Sequence, residues 1–461
     1  MRGKLVPLMV FLSAVALQLA TFPPWNTLTY DGALYIDIAR NLAANPTNFT
    51  YQGVYMMYRP PVYPYTLSLF YHFIHAPLSQ LEAARLVSVL FFGLTAVVVY
   101  LLTKELFGGE IRGAIAAMFF TLNPLAFTMG SRELVHSEFT FFYALAVYLL
   151  YLGRKREEKK AIYLAFVFAG IAILTRYTGL SIIAVFIAYL WLSEYWNWAK
   201  KKEYWVGFGL LFAVLMPWMY LGHLHYGGFL RPFEIASRTV TLAEPVSAFT
   251  YVKWLFHDLG RVLPVLAIIG LISLRQNEEG WLLLSWAFLG FMMILSVTHK
   301  ETRFITFLAP VMGILAMRGV ETLTEVLSSV GAKGKKRILA FVVLSLILAV
   351  PVGNAAFHLK DRWNGTGRYE SYVLRYASEH YPGERILVSP YLYTMAGFYY
   401  PRAKVDMILY RKSIEERISG GYYDVIIHKD PNTYLNILTS GRYELVKEFY
   451  DGLFKIFIRK P

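Results

Sequence analysis

The sequence predicts a polytopic α-helical membrane protein, with about eleven transmembrane helices and a small α/β domain at its C-terminal end. Three observations lead there. Hydrophobic residues make up 56% of the 461 positions and charged residues only 16%, against about 45–50% and about 25% in a soluble domain. Eleven apolar runs approach the length of a bilayer crossing, which takes about 20 mostly apolar residues. From about Phe357 the charge rises and the apolar runs shorten. The expected partition is a membrane domain over 1–355, whose first outer loop is 22–83, and a soluble domain over 356–461.

Taken in order, the candidate spans are Leu5–Thr21, Ala84–Leu106, Ile111–Met129, Phe139–Leu152, Ala161–Thr175, Thr178–Ser193, Trp205–Leu221, Val262–Leu274, Trp281–Val297, Phe304–Met317 and Ile338–Val352. No A-x-A cleavage site follows the first run, so Leu5–Phe22 is expected to stay as an anchor. Arg2 and Lys4 place the N-terminus in the cytoplasm. Every second loop should then be basic, and "TKELFGGEIR", "GRKREEKK", "AKKKEY", "LRQNEEG" and "GAKGKKR" are. "TRYTG" around Arg176 forms the outer tip of a hairpin that preserves this parity. The net charge of +14 would suggest nucleic acid in a soluble protein. Here it reads as positive-inside bias, so the expected surroundings are the bilayer of a cell membrane and no nucleic acid. The chain has no Cys, which excludes disulfides, thiol nucleophiles and Cys-ligated metals.

The unusual polar residues gather on the outer side. "TYDGALYIDIARNLAA" has the apolar spacing of a helix lying along the membrane surface, with Asp31 near its first turn. Read blandly, Asp31 is a helix N-cap. In "YRPPVYPYTLS", Pro60, Pro61 and Pro64 stiffen the chain in an extended form. Arg59 projects from it beside Tyr58, either as an interfacial anchor or as a fixed phosphate contact. "GSRELVHSEFTFFYALAVYLLY" puts Glu133 and Glu138 at the mouth of the fourth span, where an acid is costly unless it meets a polar cavity. The alternative is an acid that stabilises a helix N-terminus. "THKETRFITFLAPVMGILA" sets His299, Lys300, Glu301 and Arg303 in one turn. An outer turn so rich in cations breaks the local charge rule and suggests an anion site. His223, His225 and His257 lie in a long outer loop without a carboxylate at ligand spacing.

The tail contains "RILVSP", "YDVIIHK" and "LFKIFIRK", which read as strands, and "GRYESYVLRYASEH", which reads as an amphipathic helix. It has neither GxGxxG nor GxxxxGK[ST], so nucleotide binding is not suggested.

Four of these stretches, in this order and on one side, resemble a known family: "YDGALYIDIARNL", "YRPPVYPYTL", "SRELVHSEFTFFYALAVYL" and "THKETRFITFLAPVMGILA". The chain resembles GT-C-type polytopic glycosyltransferases of the protein O-mannosyltransferase and lipid A aminoarabinose-transferase superfamily. The likeness covers about residues 1–355. It implies a GT-C fold and transfer of a monosaccharide from a polyprenyl (dolichyl) monophosphate sugar to a lipid, glycan or protein hydroxyl. It places the catalytic base at Asp31 and the second acidic motif at Glu138, or less well Glu133. The donor phosphate contacts fall on Arg59, Lys300 and Arg303, with His299 beside them. Tyr35, Tyr58 and Arg176 are further candidates for substrate contact. Protein O-mannosyltransferases follow the Asp with Glu, whereas Gly32 stands here, which leaves the acceptor open. The WWDYG signature of oligosaccharyltransferases is absent.

Chemically the set is coherent. Cations stabilise a departing phosphate, and a carboxylate takes the acceptor proton. In-line attack would invert the sugar. Such a reaction requires no cofactor in principle, although a divalent metal is compatible with it. A lipid-sugar flippase would instead show mid-span charges and internal repeats, which this sequence lacks. A glycan ligase on the same architecture is the other rival. The composition suits an archaeal source.

Overall fold

The fold is described from a computed structural model over residues 2–73, 79–241, 246, 247, 249–258, 260–297, 299–329, 349, 353, 368–408, 412–429 and 440–461. Ten of the eleven expected spans fall on helices; the eleventh, Ile338–Val352, lies outside the described residues except at position 349. Five helices among the described residues are long and apolar enough to cross a membrane: Gln80–Phe107, Tyr177–Lys200, Lys202–Tyr226, Glu278–Ser296 and Thr302–Val326.

By contacts the chain forms two compact units, and they do not follow the linear partition at residue 355. The first comprises residues 1–22, 57–63 and 85–364; the second comprises 23–56, 64–84 and 365–461. Residues 22–83, expected as the first outer loop, thus belong largely with the tail.

In the first unit the expected third span is broken. A helix over Glu110–Thr121 ends before Asn123, and Pro124 opens a short helix to Met129. Asn123 caps it by accepting from Leu125 and Ala126 N–H, and Pro124 occupies a position where its missing N–H costs nothing. Helices Val262–Ile272 and Ala309–Ser329 lie backbone to backbone. A Cβ on Gly270 would stand 1.9 Å from the Leu315 carbonyl oxygen, and one on Gly319 would stand 2.0 Å from that of Leu266. Small residues permit this approach between apolar helices.

In the second unit, the helix Tyr30–Ala44 forms as expected, but it has no free apolar face. Residues Gly32 through Ala39 are all buried, because the helix packs on another over Pro390–Tyr399. The expectation of a helix lying on the membrane surface is corrected accordingly. The extended reading of "YRPPVYPYTLS" also needs correction. A helix begins at Val62 and runs to Phe73, and Pro64 sits in its first turn, where a proline is tolerated.

Strands β1 (Thr50–Tyr51) and β2 (Val54–Tyr55) form a small hairpin. The tail sheet is built from β3 (Arg385–Val388), β4 (Lys404–Met407), β5 (Val425–Lys429), β6 (Tyr443–Phe449) and β7 (Phe454–Arg459), in the order β4-β3-β5-β7-β6. β4, β3 and β5 are parallel; β7 runs antiparallel to β5 and to β6. The parallel crossovers run through the helices Pro390–Tyr399 and Lys412–Ser419. Leu387, Ile426 and Phe457 of the sheet close one core with Ile414 and Ile418 of the second crossover helix. The expected strands are β3, β5 and β7, and the expected helix is Tyr369–His380.

Candidate functional site

The helix Lys159–Thr175 ends at Arg176, whose extended backbone (φ −155°, ψ 127°) turns the chain into a short 3-10 segment, Tyr177–Leu180. Nη1 of Arg176 stands 2.9 Å from Nδ1 of the buried His136. Arginine donates through all its nitrogens, so the imidazole nitrogen facing it accepts. His136 opens the helix His136–Lys155, and Glu138 follows in the same first turn, 1% exposed. The guanidinium of Arg176 also lies over the Phe304 ring, 4.2 Å from its centroid.

Phe304 carries the cluster onward. Arg303 lies 5.9 Å from the same centroid, and the His299 ring meets Phe304 edge-on at 5.9 Å. Glu301 gathers two side-chain partners. Its carboxylate accepts from Arg303 Nη2 at 2.9 Å and lies 3.0 Å from His299 Nε2. Tyr251 braces this turn: its hydroxyl accepts from Glu301 N–H at 3.2 Å and donates to the Glu301 carbonyl at 3.3 Å. Lys300 is buried, donates to the Val297 carbonyl at 2.7 Å, and lies over the Tyr251 ring.

Arg59 reaches the same unit through the backbone before it. Met57 N–H donates to the Tyr226 hydroxyl at 3.0 Å, and its carbonyl accepts from Tyr177 at 2.9 Å. Trp218 Nε1 in turn donates to the Tyr177 hydroxyl at 2.8 Å. Tyr177 is the neighbour of Arg176, so one hydrogen bond ties the Arg59 segment to the Arg176 turn. Arg59 itself lies 5.5 Å over the Tyr58 ring. The first unit thus brings the segments of Arg59, Arg176, Lys300 and Arg303 together through Tyr177, Phe304 and Tyr251. Of these four cationic residues, Arg303 is paired with the carboxylate of Glu301.

Glu133 is placed differently. It forms a buried ion pair with Arg85, Oε2 to Nε at 2.8 Å, with the two side chains 0% and 1% exposed. Burial alone would raise the Glu133 pKa, but Arg85 and Arg132 more than offset it and hold the carboxyl below its ordinary range. An acid already paired in this way anchors its own turn structurally, and Glu138 is the stronger candidate for the second acidic position.

Asp31 and Tyr35 belong to the second unit. Thr29 caps the helix, its hydroxyl accepting from Gly32 N–H at 3.0 Å. Asp31 is therefore the second helical residue and half-exposed, and the N-cap reading is corrected. Tyr35 is buried at 4% exposure. The same helix holds an acid that sequence reasoning passed over. Asp37 is buried and paired with Arg40 at 3.1 Å; burial pushes its pKa up and Arg40 opposes the rise. The signal was available, since an acid between two isoleucines on an apolar helix demands a partner. His136 and Tyr251 were also passed over. Their partners lie forty and fifty residues away, so no local signal could have marked them. His223 stacks on Phe229.

The comparisons with known proteins agree with this architecture. Residues 58–221 match the family described as dolichyl-phosphate-mannose-protein mannosyltransferase. No curated protein matches the chain. Among solved structures, the fold is similar to ArnT from Cupriavidus metallidurans bound to undecaprenyl phosphate. The TM-score is 0.76 at 14% identity, covering 99% of this chain and 97% of that one. It is also similar to the oligosaccharyltransferase AglB from Archaeoglobus fulgidus, in complex with an inhibitory peptide and a dolichol-phosphate. There the TM-score is 0.59 at 14% identity, covering 99% of this chain and 74% of that one. A third likeness is to the arabinofuranosyltransferase AftD from Mycobacteria, with TM-score 0.54, 13% identity, and coverage of 99% and 40%. The chain has the GT-C fold of membrane glycosyltransferases, the class that its four motifs resemble.

Proposed function

We propose that this protein is an inverting glycosyltransferase of the membrane. It moves a monosaccharide from a polyprenyl monophosphate donor to an acceptor hydroxyl at the outer face. The observation that carries the reading is the cation cluster of the first unit, assembled from segments near residues 59, 176 and 300. That cluster occurs on a fold seen in a protein bound to undecaprenyl phosphate.

In this reading Arg59, Lys300 and Arg303 hold the donor phosphate, with Arg176 and His299 beside them. Their charge stabilises the phosphate as it takes up the bonding electrons of the breaking glycosidic bond. Asp31 accepts the proton of the acceptor hydroxyl, whose oxygen attacks the anomeric carbon from the opposite side. Glu138 is the second acid of the motif set. His136 accepts from Arg176 and orients it. The N-terminus is assigned to the cytoplasm and the tail to the outer side.

The experiment is incubation of the purified protein in vesicles with a panel of polyprenyl-phosphate sugars. Release of free polyprenyl phosphate from one donor, with the sugar gained by an acceptor, is the expected result. Movement of intact donor between leaflets without release would assign the protein to lipid-sugar transport instead.

A further inference from the structure

We propose that the C-terminal domain acts as a clamp on the helix that carries Asp31, with Glu370 as its positioning residue. The proposal rests on the reading of Asp31 given above, and every contact in it lies within the second unit.

The clamp closes on the segment just before Asp31. Arg368 N–H donates to the Asn26 carbonyl at 2.8 Å. The Tyr372 hydroxyl is bonded to the Asn26 amide, and the Tyr372 ring meets Trp25 edge-on at 5.2 Å. Arg375 lies over Trp25 at 4.3 Å and Arg368 over Tyr30 at 4.7 Å. Glu370 then reaches across. It is hydrogen-bonded to the Tyr30 side chain and accepts from Lys429 Nζ of β5 at 2.9 Å. A continuous line therefore runs from the tail sheet through Lys429 and Glu370 to Tyr30, the residue preceding Asp31. Glu370 stays ionised below its ordinary range, because Lys429 and neighbouring hydrogen bonds outweigh the cost of burial.

The other end of the same helix is held as well. Arg40 Nη1 donates to Asp37 at 3.1 Å and to the Gly397 carbonyl at 3.2 Å, while its Nε donates to Gln80 at 2.9 Å. The space at Gly397 is already taken: a Cβ there would stand 2.7 Å from Gln52 Nε2. With both ends fixed to the tail, neither the axial position nor the first turn of the helix can shift without breaking charged hydrogen bonds. Small displacements of a reacting group are costly to rate, and about 1 Å can cost about a hundredfold. In this role the tail sets where Asp31 stands.

The test uses the full chain in vesicles and compares Glu370→Gln, Tyr30→Phe and their double variant with Glu416→Gln. Glu416 is an exposed tail residue and serves as the control. Two readouts are taken: hydrogen exchange of the amides over residues 25–34, and turnover at saturating donor with donor affinity measured separately. Losing one charged hydrogen bond should speed exchange there about ten- to a hundredfold. Turnover should fall about tenfold or more with donor affinity unchanged. Glu370→Gln and Tyr30→Phe should be non-additive, and Glu416→Gln should move neither readout. Unchanged exchange over 25–34 in Glu370→Gln overturns the clamp, as does loss of protection spread evenly over the whole tail sheet. If exchange quickens as expected while Asp31→Asn turns over normally, the clamp stands and the assignment of Asp31 as base falls.

Discussion

Asp31 comes two places after the residue that caps its helix. Thr29 is the N-cap and accepts from the Gly32 N–H, so Asp31 stands inside the first turn rather than at the cap. Its position in the first turn is electrostatically favourable, which makes a charged carboxylate cheap to hold there. Asp31→Asn keeps the shape and removes the base. Turnover should fall about 10²–10⁴-fold while donor binding stays near normal, and single-turnover assays beside a binding titration read the two effects separately. Arg303 poses the complementary test. Its guanidinium is aimed by Glu301 and Phe304, so Arg303→Ala should weaken donor binding about ten- to a hundredfold. Arg303→Lys should recover only part of it, because the planar fork is lost. Lys201, paired with Glu194, is the control; equal weakening in Lys201→Ala would reduce the cations to general membrane anchors.

At the scale of elements, the buried pair of Glu133 and Arg85 joins the turn before the helix His136–Lys155 to the helix Gln80–Phe107. Glu133→Gln leaves Arg85 buried without its counter-charge and should destabilise the protein by about 3–5 kcal/mol. Replacing both by Met should cost far less, since an apolar pair leaves no stranded charge. The pH dependence follows from the depressed pKa of Glu133. A carboxylate lowered on folding stabilises fully above its unfolded value, and that contribution drains away as pH falls through the folded value. Thermal unfolding of wild type against Glu133→Gln should therefore differ at neutral pH and converge in acid below the ordinary carboxylate range. Elements were also where sequence was most and least legible. Apolar runs located the helices because span length is a one-dimensional property. Tail strands β3, β5 and β7 were visible as buried hydrophobic runs, whereas β4 and β6 carry Lys404, Asp406, Glu444, Lys447 and Glu448 and look polar. Helix Val62–Phe73 was hidden by the same prolines that help start it.

The whole molecule has a chain order that differs from its contact order. Residues 23–56 fold with residues 365–461 although nearly the entire membrane unit lies between them in sequence. Composition could separate the tail from the spans but could not reveal which loop joins it, because that choice depends on contacts such as Arg368 with Asn26 and Lys429 with Glu370. The motif set fared better. Arg59, Arg176, Lys300 and Arg303 stood out in sequence as cations in loops expected on one side, and the fold assembles their segments in one unit. Sidedness itself is open to direct measurement, since the chain has no native cysteine. Ser378→Cys should react with an impermeant thiol reagent from the outer side of intact cells; reaction only after the inner side is opened would invert the assigned topology.

The touching backbones at Gly270 and Gly319 carry a consequence for variation. In the aromatic interior an added methylene can be shared among several rings that each give a little. Between these two helices no side chain intervenes to give way, so the obstacle to any larger residue is a carbonyl oxygen of the neighbouring main chain. Tolerance there is a step and not a slope. In a saturation library most interior sites would show graded survival with volume, while these two would accept hydrogen as a side chain and little else.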